Sequence, residues 1–152
     1  MKPDDAIRDA APTRGRAILR ASVDTRPQFY DVDPMGIVWH GNYAKFFEIA
    51  RVELLGVIDY GYAKMEESGF AWPIVDMQIK YIQPVRLLQE IVVEASLLEW
   101  ENRLKIGFEI RDKATGKRCT RASAVQVAVD MASNQMQWET PPILREKLRP
   151  YL

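Results

Sequence analysis

Two aspartates, Asp31 and Asp33, lie just before a predicted helix, in a segment that also holds Gly36 and the single histidine, His40. The first turn of a helix leaves backbone N–H groups without partners, and these can donate to an oxygen that becomes negative. Glycine allows a tight turn or a close approach of the backbone to a ligand. A carboxylate beside such donors supplies what acyl transfer requires, namely a nucleophile or base and an oxyanion site.

The same spacing also has a purely structural explanation. Aspartate is common before helices as a cap or turn residue, and spacing by itself favours that interpretation over catalysis. Two neighbouring ionised carboxylates repel each other, which argues against an equal share in the chemistry. We therefore expect Asp31 to orient the loop, and we take Asp33 as the candidate reactive carboxylate.

The bulk composition excludes several classes of protein. The chain has 152 residues, which fits one domain, and at 47% hydrophobic it can bury a core without disulfides. Cys119 and His40 are the only cysteine and histidine, so a four-ligand Cys/His zinc site and a CxxC pair are both excluded. The formal net charge of zero argues against a nucleic-acid binder. We expect no metal and no nucleic-acid partner.

The first 16 residues are charged and contain proline, without the apolar run of a signal peptide. No stretch approaches the ~20 consecutive apolar residues of a membrane-spanning helix. We expect a flexible N-terminal tail over residues 1–16, a single domain over residues 17–152 and a cytoplasmic location without a membrane span.

Hydrophobic periodicity predicts the elements that must position the two aspartates. Apolar residues recur at helical spacing over residues 42–55, and a second helical piece is predicted over residues 60–68. Extended segments are predicted over residues 17–30, 75–81, 91–100, 104–111 and 120–129, and a short helix over residues 143–148. Short loops between the last three strands favour antiparallel pairing. The order predicts an α+β fold in which one long helix covers a sheet of about five strands.

Two motifs carry a resemblance to a known family. The first is Tyr30-x-Asp31-x-Asp33-x-x-Gly36-x-Val38-x-His40-x-Asn42-Tyr43, followed by Phe46-Phe47-Glu48-x-x-Arg51-x-Glu53. It closely resembles the signature of the 4-hydroxybenzoyl-CoA thioesterase-like hotdog family, which includes acyl-CoA thioesterases associated with the Tol–Pal system. The run from Tyr81 to Glu90, with Pro84 and Arg86, resembles the second motif of that family. The resemblance covers roughly residues 22–130.

The resemblance implies a hotdog fold, in which an antiparallel sheet wraps a long helix, and hydrolysis of acyl-CoA thioesters. It assigns Asp33 the role of nucleophile or general base. It assigns the backbone N–H of His40, at the helix start, the role of polarising the thioester carbonyl, with Gly36 in the same loop. For the His40 side chain, contact with substrate remains the alternative. The family implies no cofactor, since CoA is part of the substrate, and a homo-oligomer, a dimer at least and a tetramer by analogy.

Four further residues are candidates for substrate binding. Tyr43 lies on the apolar face of the long helix, where it could line an acyl pocket or simply belong to the core. Trp39 and Trp72 are candidates for an apolar acyl tunnel, and Arg103 for a contact with CoA phosphate. Glu101, Asn102 and Leu104 interrupt the basic character of the turn around Arg103. The alternative functions are an acyl-carrier-protein thioesterase and a non-catalytic acyl-CoA binding module.

Overall fold

The computed structural model describes residues 17–152, so the predicted tail over residues 1–16 lies outside the described residues. The strands are β1 (Leu19–Thr25), β2 (Phe70–Ala71), β3 (Ile74–Tyr81), β4 (Ile91–Glu99), β5 (Leu104–Asp112), β6 (Arg118–Gln126), β7 (Val129–Asp130) and β8 (Gln135–Met136). The α-helices are α1 (Tyr43–Val57), α2 (Tyr62–Glu67) and α3 (Pro142–Leu148). Short 3-10 turns cover Phe29–Asp31, His40–Asn42 and Arg149–Tyr151.

Five strands form one sheet in the order β1-β4-β5-β6-β3, and every neighbouring pair is antiparallel. The long helix α1 contacts β1 and β4 of this sheet. The prediction of an α+β fold with one long helix on about five antiparallel strands is therefore confirmed.

The core lies between α1 and the inner face of the sheet. The buried residues of α1 recur three or four positions apart, as a helix packed on one side requires. On β5, Ile106, Phe108 and Ile110 alternate with residues of the outer face and point inward, because side chains alternate along a strand. The rings of Phe47 and Phe108 stack with centroids 5.0 Å apart and join helix to sheet.

The first predicted strand is shorter than expected. Instead of running to residue 30, β1 ends at Thr25, and the chain then enters the 3-10 turn Phe29–Asp31. The carboxylate of Asp31 accepts a hydrogen bond of 2.8 Å from the backbone N–H of Gln28, which stabilises the turn. The side chain of Phe29 consequently points into solvent.

A second, three-stranded sheet in the order β2-β7-β8 was not predicted. Each of its strands has two residues, which is too short to show periodicity. Its formation divides the strand predicted over residues 120–129 into β6 and β7. No helix among residues 17–152 is long and apolar enough to cross a membrane.

Two connections lie side by side at one end of the main sheet, the β1–α1 connection and the β3–β4 connection. The backbone N–H of Val38 donates to the carbonyl of Val85 at 2.8 Å, and that of Leu87 to the carbonyl of Gly36 at 3.0 Å. Isolated bridges pair Val32 with Val38 and Ile37 with Arg86. This pairing holds the segment with the two aspartates against the second family-like motif.

Candidate active site

The carboxylate of Asp33 is held by a tight turn of its own chain. Its Oδ1 accepts hydrogen bonds from the backbone N–H of Met35 at 2.8 Å and of Ile37 at 3.4 Å. The turn is closed by the N–H of Gly36, which donates to the Asp33 carbonyl at 2.9 Å, and Gly36 has φ +77°. One oxygen thus positions the carboxylate, while Oδ2 has no hydrogen-bond donor among residues 17–152.

Asp31 is used structurally. Its side chain is buried, Oδ1 lies 2.9 Å from Nζ of Lys45, and Oδ2 accepts from the N–H of Gln28. Its carbonyl accepts from the N–H of Trp39 at 3.1 Å and from the side-chain amide of Asn42 at 2.9 Å. These contacts tie the aspartate loop to the start of α1, the role expected from the sequence.

The chain enters α1 through the 3-10 turn His40–Asn42. The N–H of Asn42 donates to the Trp39 carbonyl at 2.8 Å. The N–H groups of His40 and Gly41 have no acceptor within the part of the chain that the structure describes. Unpartnered donors at a helix start carry partial positive charge, which suits a carbonyl oxygen that gains negative charge.

A cleft of about 280 Å³ brings the carboxylate and the helix start together. Asp33 and His40 line it with the apolar side chains of Tyr43 and Tyr81, and the rest of the wall is formed by Ile37, Val38, Ile82, Gln83 and Pro84. The cleft is thus bounded by the β1–α1 connection on one side and by the end of β3 with the following loop on the other.

Two tyrosines give the cleft an apolar wall with polar ends. The rings of Tyr43 and Tyr81 meet edge to face with centroids 4.9 Å apart. The Tyr81 hydroxyl donates to the His40 carbonyl at 2.8 Å, and the Tyr43 hydroxyl accepts from the N–H of Val85 at 3.4 Å. Burial raises the pKa of the Tyr43 phenol above its ordinary value, so this group stays neutral at physiological pH.

Trp39 stands beside the cleft, with its ring 4.9 Å from that of His40 and 49% of its surface exposed. The indole lies over Gly41 so closely that a Cβ at this position would collide with the ring. Glycine is therefore required at position 41 as long as the indole keeps this place.

Comparison with known proteins places this geometry in a family. The model of the thioesterase-like superfamily matches residues 27–148, which include both aspartates, the helix start and the β3–β4 connection. The chain belongs to the thioesterase-like superfamily.

Two curated relatives of this superfamily member are informative. A putative esterase of Synechocystis is 32% identical over 130 residues, covering 81% of this chain and 75% of the relative. A putative acyl-CoA thioesterase of Bacillus subtilis, YneP, is 29% identical over 107 residues, covering 70% of this chain and 77% of the relative.

The fold is shared with solved thioesterases. The DHNA-CoA thioesterase of Staphylococcus aureus superposes with a TM-score of 0.77 at 21% identity, covering 86% of this chain and 89% of that chain. A 1,4-dihydroxy-2-naphthoyl-CoA thioesterase of Synechocystis gives a TM-score of 0.76 at 16% identity, covering 86% and 96%. These likenesses establish the hotdog fold for this member of the superfamily.

Two predicted site residues of this superfamily member, Trp72 and Arg103, lie away from the cleft. Trp72 is 6% exposed and lies in the core, where its indole N–H donates to the Tyr60 hydroxyl at 3.2 Å. Arg103 is exposed and paired with Glu99, with Nε 2.7 Å from the carboxylate. Neither residue lines the cleft around Asp33.

Sequence reasoning did not single out Tyr81 as a site residue of this superfamily member. Its place in an alternating strand pattern indicated which face of β3 it occupies, and Tyr81 is the first residue of the second family-like motif. The proline and arginine that follow, Pro84 and Arg86, marked the segment as a motif, and this was the one signal that could have directed attention to it.

Proposed function

We propose that this protein hydrolyses acyl-CoA thioesters to the free acid and CoA. The observation that carries the proposal is the shared cleft, which is lined both by Asp33 and by His40 and Tyr43 at the start of α1. The names of relatives, such as the acyl-CoA thioesterase YbgC of Haemophilus influenzae at 30% identity over 104 residues, support the same chemistry.

The geometry suits a two-part mechanism. The free oxygen of Asp33 either attacks the thioester carbon, releasing CoA thiolate and leaving a mixed anhydride for water to hydrolyse, or removes a proton from an attacking water. In both routes the thioester oxygen becomes negative, and we assign its stabilisation to the N–H of His40. One water is consumed and one thiol released, so the reaction balances without a metal or an organic cofactor.

The size of the cleft bears on the substrate. A cleft of about 280 Å³ lies at the lower end of typical small-ligand sites. The acyl group and thioester would occupy it, while the nucleotide of CoA would lie outside.

Within the superfamily, we place the protein with the 4-hydroxybenzoyl-CoA thioesterase-like, Tol–Pal-associated group, on the strength of the two sequence motifs. We also propose that the protein is located in the cytoplasm.

Thiol release from a panel of short aliphatic and aromatic acyl-CoAs tests the proposal in wild type and in Asp33→Asn. Asparagine keeps an oxygen that can accept from the N–H of Met35, so the turn is retained while the charge is lost. We expect kcat to fall at least about a hundredfold, as loss of a nucleophile or base commonly causes.

Asp130→Asn is the matched control. Oδ1 of Asp130 accepts from the N–H of Ala132 at 2.8 Å and of Ser133 at 3.3 Å, so it holds a similar turn away from the cleft. This variant should hydrolyse at the wild-type rate. Equal rates for Asp33→Asn and wild type would remove Asp33 from the chemistry. Tight acyl-CoA binding without hydrolysis by wild type would favour the non-catalytic binding module. Hydrolysis of acyl thioesters on acyl carrier protein, without hydrolysis of acyl-CoA, would favour the acyl-carrier-protein thioesterase.

We further propose that the protein works as a homo-oligomer. Within residues 17–152, β3 is the last strand of its sheet and pairs with β6 as its one neighbouring strand. Ile74, Val75 and Ile82 are exposed along and beyond this edge. A second copy is the partner that would cover both the edge and the apolar side chains, and a net charge of zero does not oppose it.

A further inference from the structure

We propose that Tyr81 is a positioning residue that holds the His40 backbone in the geometry needed for oxyanion stabilisation. The inference rests on the proposed function, in which the N–H of His40 faces the thioester oxygen. Tyr81 ends β3, and its hydroxyl reaches across 41 positions of sequence to donate to the His40 carbonyl at 2.8 Å.

Two hydrogen bonds together restrain the orientation of His40. The peptide that contains the N–H of His40 also contains the Trp39 carbonyl, which accepts from the N–H of Asn42 at 2.8 Å. The following peptide contains the His40 carbonyl, which Tyr81 holds. A peptide unit is planar, so fixing its carbonyl also fixes its N–H. The bond from Asn42 thus orients the N–H of His40 and the bond from Tyr81 orients the N–H of Gly41, so together they restrain φ and ψ of His40.

Gly41 explains why this restraint matters. The indole of Trp39 covers Gly41, and a Cβ there would collide with the ring in its present position. Glycine has far more accessible backbone conformations than other residues, so the peptide between His40 and Gly41 is intrinsically easy to rotate. The hydroxyl of Tyr81 supplies, from the sheet, the order that the local sequence lacks.

The ring of Tyr81 is positioned independently of its hydroxyl. It contacts Tyr43 edge to face, and the backbone of Tyr81 pairs with Thr120 on β6. Phenylalanine at position 81 should therefore keep the ring, the strand pairing and the apolar wall of the cleft. The variant Tyr81→Phe removes one hydrogen bond and little else.

The test compares Tyr81→Phe with Tyr62→Phe, which loses hydroxyl contacts to Glu48 and Arg51 on α1, away from the cleft. We expect kcat of Tyr81→Phe to fall about three- to tenfold, the size of a single net hydrogen bond. Its KM and its affinity for a non-hydrolysable acyl-CoA thioether should stay within about twofold of wild type, because the ground-state cleft is unchanged. Tyr62→Phe should match wild type in both quantities.

A second readout does not depend on activity. Backbone ¹⁵N relaxation should show lower order parameters for His40 and Gly41 in Tyr81→Phe than in wild type, and unchanged values in Tyr62→Phe. If wild type is active, an unchanged kcat in Tyr81→Phe, or a rise in KM without a fall in kcat, would overturn the inference. If wild type hydrolyses no acyl-CoA, the proposed function fails. The order parameters then decide the positioning role alone, and equal values in all three proteins would refute it.

Discussion

At the scale of single residues, the two aspartates show how position gives identical side chains different contacts. Asp31 and Asp33 have the same side chain and lie two positions apart. The carboxylate of Asp31 contacts Lys45 and the N–H of Gln28, whereas Oδ2 of Asp33 meets no donor among residues 17–152. A buried carboxylate that is already paired with a lysine has little capacity to attack a substrate. The difference between them is set by their contacts and not by their intrinsic chemistry.

Gly36 allows a prediction at the same scale. Its φ of +77° lies in the left-handed region, where a Cβ costs about 1–2 kcal/mol. Gly36→Ala should therefore lower the free energy of unfolding by about that amount, measured by urea denaturation. Gly56→Ala is the control, since Gly56 lies in α1 and has no positive φ. Alanine there should be stabilising by about 0.5–1 kcal/mol.

A Cβ at Gly36 or at Gly56 would meet nothing within 4 Å, so packing does not complicate the comparison. The two substitutions should change stability in opposite directions. A Gly36→Ala variant that is as stable as wild type, or more stable, would mean that the turn before His40 is not strained in the way that its φ indicates.

At the scale of elements, α1 contains a charged residue, Arg51, whose burial in the core costs free energy of desolvation. Arg51 is 1% exposed, with its guanidinium 5.6 Å from the ring centre of Phe108 on β5. One of its terminal nitrogens lies 2.7 Å from the carboxylate of Glu48, but Nε has no acceptor among residues 17–152. A buried ion pair with an unsatisfied donor contributes little net stability.

The free energy of unfolding of Arg51→Met should therefore lie within about 1 kcal/mol of the wild-type value, or above it, because methionine has similar length and no buried charge. Glu48→Gln should lose about 1–2 kcal/mol, since it leaves the guanidinium without its counter-charge although Glu48 itself is partly exposed. Arg51→Ala, which removes the packing as well, should lose more than either. Urea denaturation of the three variants gives the order.

A loss above about 3 kcal/mol in Arg51→Met would contradict this account. It would mean that the guanidinium holds α1 to α2, through Glu48 and Tyr62, more strongly than the unsatisfied Nε suggests.

At the scale of the whole molecule, the prediction concerns association through β3. Val75 on the edge strand is 58% exposed and Val52 on α1 is 48% exposed, so the two valines form a matched pair. A lysine on an edge strand opposes pairing with another strand. Val75→Lys should shift the protein towards monomer in sedimentation velocity experiments, whereas Val52→Lys should sediment as wild type does.

A monomeric wild type would refute association altogether. Dissociation of Val52→Lys with no effect in Val75→Lys would move the interface to α1. Either result leaves the account of Asp33 to its own test, because that test measures hydrolysis and this one measures association.

The amino-acid sequence by itself determined the helix and strand pattern and the motif around Asp33. The period of apolar residues placed α1 within about two residues of its observed bounds and anticipated the antiparallel run β4, β5 and β6. These features are local, since they depend on residues a few positions apart and on short loops. The role of Asp33 as the reactive carboxylate rests on the motif and stays a prediction.

Only the tertiary structure decided which distant residues meet. Because β3 lies beside β6 at the sheet edge, Tyr81 reaches His40, and the loop that follows closes the cleft. The same folding places Trp72 in the core with Tyr60 and leaves Arg103 with Glu99. Strand order is a non-local property that no short sequence window contains, so the partners of these side chains become known only when the whole sheet is assembled.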